Sequence, residues 1–130
     1  MTVYFEQAYA KITYNEENKL VEVELKDPNV NSAQYCLTLS KALVVMKEHD
    51  TEKFITDISK KGSLSAEEAH WVENYLLPNF NDTDVKKWAF VSAQSNTTDL
   101  LGKSGKNEDL FMSTFKNREE AMTWLEASAN

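Results

Sequence analysis

The chain is poor in the residues that usually announce chemistry. It has one cysteine, two histidines, three glycines and two prolines in 130 residues. The single Cys36 excludes a disulfide within the chain. His49 and His70 sit among polar helix neighbours, at no spacing that would gather a metal's ligands. No Gly-x-Gly-x-x-Gly or Walker pattern occurs, so no nucleotide cofactor is expected. No apolar run of signal-peptide length opens the chain, and none approaches the roughly 20 residues of a membrane span. Positive charge is also short, with 14 Lys and Arg against 21 Asp and Glu, a net of -7. Such a surface repels phosphate, so nucleic acid is not an expected partner. A cytoplasmic location is the expectation.

What is present suffices for one core. Apolar residues make up 42% and charged residues 27%, a globular balance that argues against disorder. At this length a single domain over residues 1–130 is expected.

The organising stretch is Lys53 to Pro78. A short apolar run (Phe54, Ile55, Ile58) leads into a basic glycine turn, then into an amphipathic helix closed by Leu77-Pro78. That is the strand–loop–helix unit of an α/β sheet. Ser65-Ala-Glu-Glu68 is a capping box: the serine hydroxyl accepts the third helical amide and Glu68 reaches back. Ala69, Val72 and Leu76 face the core, and Trp71 and Tyr75 can pair four residues apart.

Upstream, residues 4–14 read as one loosely alternating strand, turning at Asn15 to Asn18 into Leu20–Leu25. The two make an N-terminal hairpin. Asn31 or Ser32 caps a helix to about Asp50. Its stripe of Tyr35, Cys36, Leu39, Ala42, Leu43 and Met46 spans about 120°. Cys36 in that stripe reads as a structural thiol. A second strip, Ala33, Leu37, Ser40 and Val44, lies elsewhere on the helix, and Leu37 and Val44 are the candidate oligomer contact. Downstream, Trp88–Ala93 is a buried strand, a helical turn is expected near Thr98–Leu101, and Leu110–Phe115 is the last strand. Asn117 opens the last helix, with Trp124 packing under the sheet. The expected fold is α/β, with a mixed, mostly parallel sheet and helices on both faces.

Three blocks, taken in order, resemble a family. They are Asp57…Ser65-Ala-Glu-Glu…Trp71 with Leu77-Pro78, then Lys87-Trp-Ala-Phe-Val91, then Phe115-Lys-Asn-Arg-Glu-Glu-Ala121-Met-Thr-Trp124-Leu125. The chain resembles the small STAS-like domains, the SpoIIAA-like or STAS/SEC14 group, over nearly its whole length. The resemblance implies a STAS-like α/β fold and a non-catalytic binding or regulatory module that engages a protein partner in signalling. The STAS/SEC14 label also implies an alternative, a carrier of a small apolar ligand such as a lipid. An enzyme is the third reading. Anti-sigma factor antagonists of this fold are switched by phosphorylation of a serine near a helix start. Their Asp-Ser-Ser-Gly-type signature is absent, and Ser63 and Ser65 are the candidate phosphoacceptors.

One feature comes from the residues alone. Lys60, Lys61, Lys103 and Lys106 fall in the two loops leaving the central strands, at the sheet edge where ligands of open α/β folds collect. With Gly62, Ser63 and Ser65 they form a candidate partner or anion edge. No catalytic, cofactor or metal residues are expected. The expected assembly is a monomer or weak homodimer.

Overall fold

The computed structural model describes residues 1–62, 64–92 and 110–127. Ala93, the turn near Thr98–Leu101 and the loop holding Lys103 and Lys106 lie outside the described residues, as does Ser63.

Six strands form one mixed sheet in sequence order: β1 (Thr2–Glu6), β2 (Ala10–Asn15), β3 (Leu20–Leu25), β4 (Lys53–Asp57), β5 (Lys87–Val91) and β6 (Phe111–Phe115). The first three are an antiparallel meander, and β3 to β6 run parallel. The sheet is α/β and mostly parallel, as expected, but it starts with three strands rather than a hairpin. The expected first strand is split by a tight turn, in which Gln7 N donates to Ala10 O at 2.8 Å and Ala10 N to Gln7 O at 3.3 Å. No glycine, asparagine or proline marks that turn, so nothing local signals it. The second turn is conventional. Asn15 Oδ1 accepts the amides of Glu17 and Asn18, and Lys19 takes a left-handed φ of 52°.

A bulge in β1 turns Tyr4 and Phe5 to the same side of the sheet. Tyr4 Oη lies 2.7 Å from His49 Nε2, and Tyr14 stacks on the same imidazole at 4.7 Å. His49 therefore pins the meander to the end of a helix.

That helix, α1 (Ser32–Glu48), opens with Asn31 and Gln34 in a reciprocal capping box. The expected stripe is buried except for Cys36, which is half-buried at its margin, and Thr38 and Val45 widen it. Burial and then the nearby carboxylates of Glu68 and Glu67 push the Cys36 thiol up.

The next helical stretch does not stop at Pro78. It runs as α2 (Ala66–Trp71), a π-helical turn (Val72–Leu76), α3 (Leu77–Asn79) and a 3₁₀ turn (Phe80–Asp82). The π turn lets Leu77 N donate five residues back to Val72 O, so the proline enters at the start of a new register. Side-chain amides bind carbonyls along this turn: Asn74 Nδ2 donates to His70 O at 2.8 Å and Asn79 Nδ2 to Tyr75 O at 2.7 Å.

Both faces of the sheet are covered. Val21, Val23, Phe54, Trp88 and Phe90 pack with α1 and the 66–82 stretch. Leu20, Ile55, Ala89 and Val91 pack on the other face with Ala121 and Leu125 of α4 (Arg118–Glu126). Trp124 is half-buried there against Phe115, with ring centroids 5.4 Å apart. Among the described residues no helix is long and apolar enough to cross a membrane.

Candidate functional site

The loop after β4 reaches the carboxyl edge of the parallel strands. It is folded tightly. Asp57 Oδ1 accepts both the amide and the hydroxyl of Ser59, at 3.0 and 2.5 Å. Gly62 N closes on Ile58 O at 2.8 Å, and Gly62 O accepts Ser92 Oγ from the end of β5 at 3.0 Å. Gly62 has a φ of 98°, and a Cβ there would meet nothing within 4 Å. The glycine is needed for its backbone angle rather than for space.

Lys61 does not point to solvent. Its side chain is 9% exposed and enters the gap between the loop and the starts of α1 and α2. There Nζ lies 3.0 Å from Glu68 Oε1 and 3.1 Å from Oε2, donates to Val30 O at 3.2 Å, and sits 5.9 Å from the centre of the Tyr35 ring. Glu68 is 2% exposed and joins three segments. It accepts Ser32 Oγ from α1, Ser65 N from its own cap and Lys61 from the loop. Burial pushes its carboxyl up. The Ser65 amide, the Lys61 ammonium and the Ser32 hydroxyl outweigh that and hold it below the ordinary value.

This geometry corrects the anion edge at Lys61: its charge is spent on Glu68. Of the other expected residues, Lys60 and Ser65 are exposed at the rim and Gly62 is half-buried beneath it. Ser65 Oγ accepts the Glu68 amide at 3.1 Å, so the candidate phosphoacceptor also serves as a helix cap. Exposed Glu67 stands beside it. Among the described residues the rim carries exposed Lys60 and exposed Glu67, charges of opposite sign.

Leu37 and Val44 are exposed on α1. His70 is exposed on α2, its Nδ1 3.2 Å from Asn74 Nδ2. Among the described residues no group of three or more His, Cys, Asp or Glu is placed to hold a metal ion.

Comparison with protein-family models, with curated proteins and with solved structures returns no match.

Two polar anchors on the α4 face were not singled out in the sequence. Lys87 is 8% exposed, and Nζ donates to Trp124 O at 2.8 Å and Ala127 O at 2.9 Å while lying 5.0 Å from the Trp124 ring centre. It caps the carbonyl end of α4 as a cation should. Its one sequence signal is a lysine leading an otherwise apolar strand. Arg118 makes a bidentate pair with Glu22, both distances 2.8 Å. The two are separated by most of the chain, and nothing local connects them.

Proposed function

We propose that the chain is a non-catalytic binding module of STAS-like type that engages a protein partner through the rim after β4. The observation that carries this reading is the use made of Glu68. One buried carboxylate ties the loop, α1 and α2 together, so Lys61, Ser32 and the Ser65 amide hold the rim in place. A rim held on three sides presents Ser59, Lys60, Ser65 and Glu67 with little ordering cost on binding. The STAS-like assignment rests on the three sequence blocks, which fall on the β4–α2 unit, β5 and the β6–α4 unit.

The apolar-carrier reading needs a hollow between the sheet and its helices. Phe54, Phe80, Trp88 and Phe90 occupy that layer, with ring centroids 4.5 to 5.9 Å apart. That filling favours the binding module.

Chemical cross-linking in cells, followed by recovery of the chain, tests the reading. A protein partner should be captured by the parent and lost with Lys60→Glu/Ser65→Glu. A stoichiometric lipid in mass spectra of the purified chain would overturn it in favour of the carrier.

A further inference from the structure

β1 lies at one edge of the sheet and reaches β2 through a two-residue turn, Ala8-Tyr9. Two-residue hairpins favour turns with a positive φ at one or both central residues, because those turns match the twist of the strands. Among the described residues only Lys19 and Gly62 have a positive φ, so this turn is of neither favoured kind. Its closing bonds are uneven, 2.8 Å from Gln7 N to Ala10 O and 3.3 Å from Ala10 N to Gln7 O. Nor does its composition ask for a turn. Tyr4, Phe5, Tyr9, Ile12, Thr13 and Tyr14 favour extended backbone, and no glycine, asparagine, aspartate or proline stands among them.

The place of β1, by contrast, is closely specified. Its pairing with β2 runs from Thr2 opposite Tyr14 to Glu6 opposite Lys11. Tyr4 Oη lies 2.7 Å from His49 Nε2, Lys41 Nζ stands 5.5 Å from the Phe5 ring centre, and Lys26 Nζ lies 3.6 Å from Glu6 Oε2. Beyond the turn the chain is already fixed to β3, since Tyr9 O accepts Lys26 N at 2.7 Å. A well-specified strand thus hangs on a poorly specified connection, with Ala8 as its pivot.

We propose that copies of the chain exchange this strand: β1 of each leaves its own turn and pairs with β2 of the other. The occupant is given by the structure, because β1 covers this edge of β2 and a second copy's β1 makes every one of the same contacts. Only the turn is lost, and the crossing segment becomes extended, as its residues favour. Gln7 and Ala10 share one side of the sheet across the turn, whereas a straight strand would set them on opposite sides. The crossing therefore carries a one-residue irregularity at Ala8-Tyr9, of the kind β1 already holds between Val3 and Phe5. Association costs a chain its freedom, and even a poor turn keeps its own strand near. The monomer prevails when dilute, and the exchanged dimer grows with concentration. This proposal does not rest on the rim reading.

A bridge across the two strands tests it. Val3 and Thr13 are direct partners, at a separation that a disulfide spans. An equal mixture of heavy-isotope and ordinary Val3→Cys/Thr13→Cys/Cys36→Ser chain is refolded from urea at about 1 mM, oxidised, separated by size and digested. In the dimer fraction about half of the links between positions 3 and 13 should join peptides of different isotope, and in the monomer fraction none. The unaltered chain, refolded in the same way, should show the same dimer in sedimentation velocity. Ala8→Asn/Tyr9→Gly, which installs a favoured turn, should lower the dimer fraction about tenfold, and Ala8→Val should raise it. An unaltered chain that stays monomeric at about 1 mM overturns the proposal. So does a dimer whose links each join peptides of one isotope, or one whose fraction the Ala8→Asn/Tyr9→Gly turn leaves unchanged.

Discussion

The two faces of the sheet are held by different means. On the broad face, α1 and the 66–82 stretch cover a layer centred on Phe54, Trp88 and Phe90, all 0% exposed. Among the described residues the narrow face is covered by one nine-residue helix, α4, packed on Leu20, Ile55, Ala89 and Val91. A helix that short is marginal by itself. It is fastened by charge at both ends, by Arg118 on Glu22 and by Lys87 on its last carbonyls. The broad face relies on apolar volume, and its buried ion pair joins helix to loop rather than helix to sheet. A sheet can thus be covered by bulk on one side and by a fastened strap on the other.

Removing the strap should have the largest effect. Truncation after Phe115 deletes Ala121, Trp124 and Leu125 and bares Leu20, Ile55, Ala89 and Val91. Each large apolar side chain contributes about 1.5–3 kcal/mol on burial, so the sum approaches the roughly 5–15 kcal/mol of a whole domain. The expected outcome is loss of the cooperative thermal transition in calorimetry. A cooperative melt near the parent's temperature would show that the narrow face is not part of the core.

On the broad side the sharpest single change is Lys61→Met. It leaves Glu68 buried without its cation, at a cost of about 3–5 kcal/mol in urea unfolding. The same pair should show in the acid range. Because the folded carboxyl is held below its ordinary value, its contribution is complete above the unfolded value, near about 4.3, and is lost as pH falls through the lower folded value. Glu68→Gln should lack that acid-side loss. An unchanged acid profile in Glu68→Gln would mean the carboxylate is not the group that titrates.

The two fasteners of α4 should differ. Lys87→Met removes two charge-assisted hydrogen bonds from a nearly dry site, a loss of about 1.5–3 kcal/mol. Arg118→Ala removes a bidentate pair whose arginine side chain is 49% exposed, and surface pairs of this kind contribute about 1 kcal/mol or less. Equal losses in matched urea titrations would erase the distinction between a buried cap and a surface clamp.

What the sequence made legible follows from locality. The Ser65–Glu68 and Asn117–Glu120 caps, the α1 stripe and the apolar run of β5 are each written within a few residues, and each is present. The turn at Ala8-Tyr9 was illegible because its residues carry no turn signal, so six strands stand where five were expected. Pro78 misled because the proline rule assumes one helical register, and the π turn changes it. Lys61 was placed on the right loop but facing the wrong way. Its direction is decided by Val30, Ser32 and Glu68 together, and the first two lie on a segment some thirty residues upstream.

An effect equally small but of opposite sign lies inside the broad face, where two polar atoms meet opposite fates. Trp88 Nε1 donates to Thr56 Oγ1 at 3.1 Å, and both residues are 0% exposed. Tyr35, as deeply buried, has a hydroxyl with no hydrogen-bond partner among the described residues. Burial first, then Glu68 and Cys36, push its phenol well above the ordinary value, so it stays neutral at any working pH. An unpaired buried hydroxyl loses its water without compensation, a cost of about 1–3 kcal/mol. The ring contributes separately: it meets Trp71 edge-on at 6.4 Å and lies under the Lys61 ammonium, and phenylalanine keeps both contacts. Tyr35→Phe should therefore raise the unfolding free energy by about 1 kcal/mol, seen as a higher urea midpoint at an unchanged m-value. A loss of about 1 kcal/mol instead would show that the hydroxyl is bonded in solution, and that the broad face is polar where α1 meets α2.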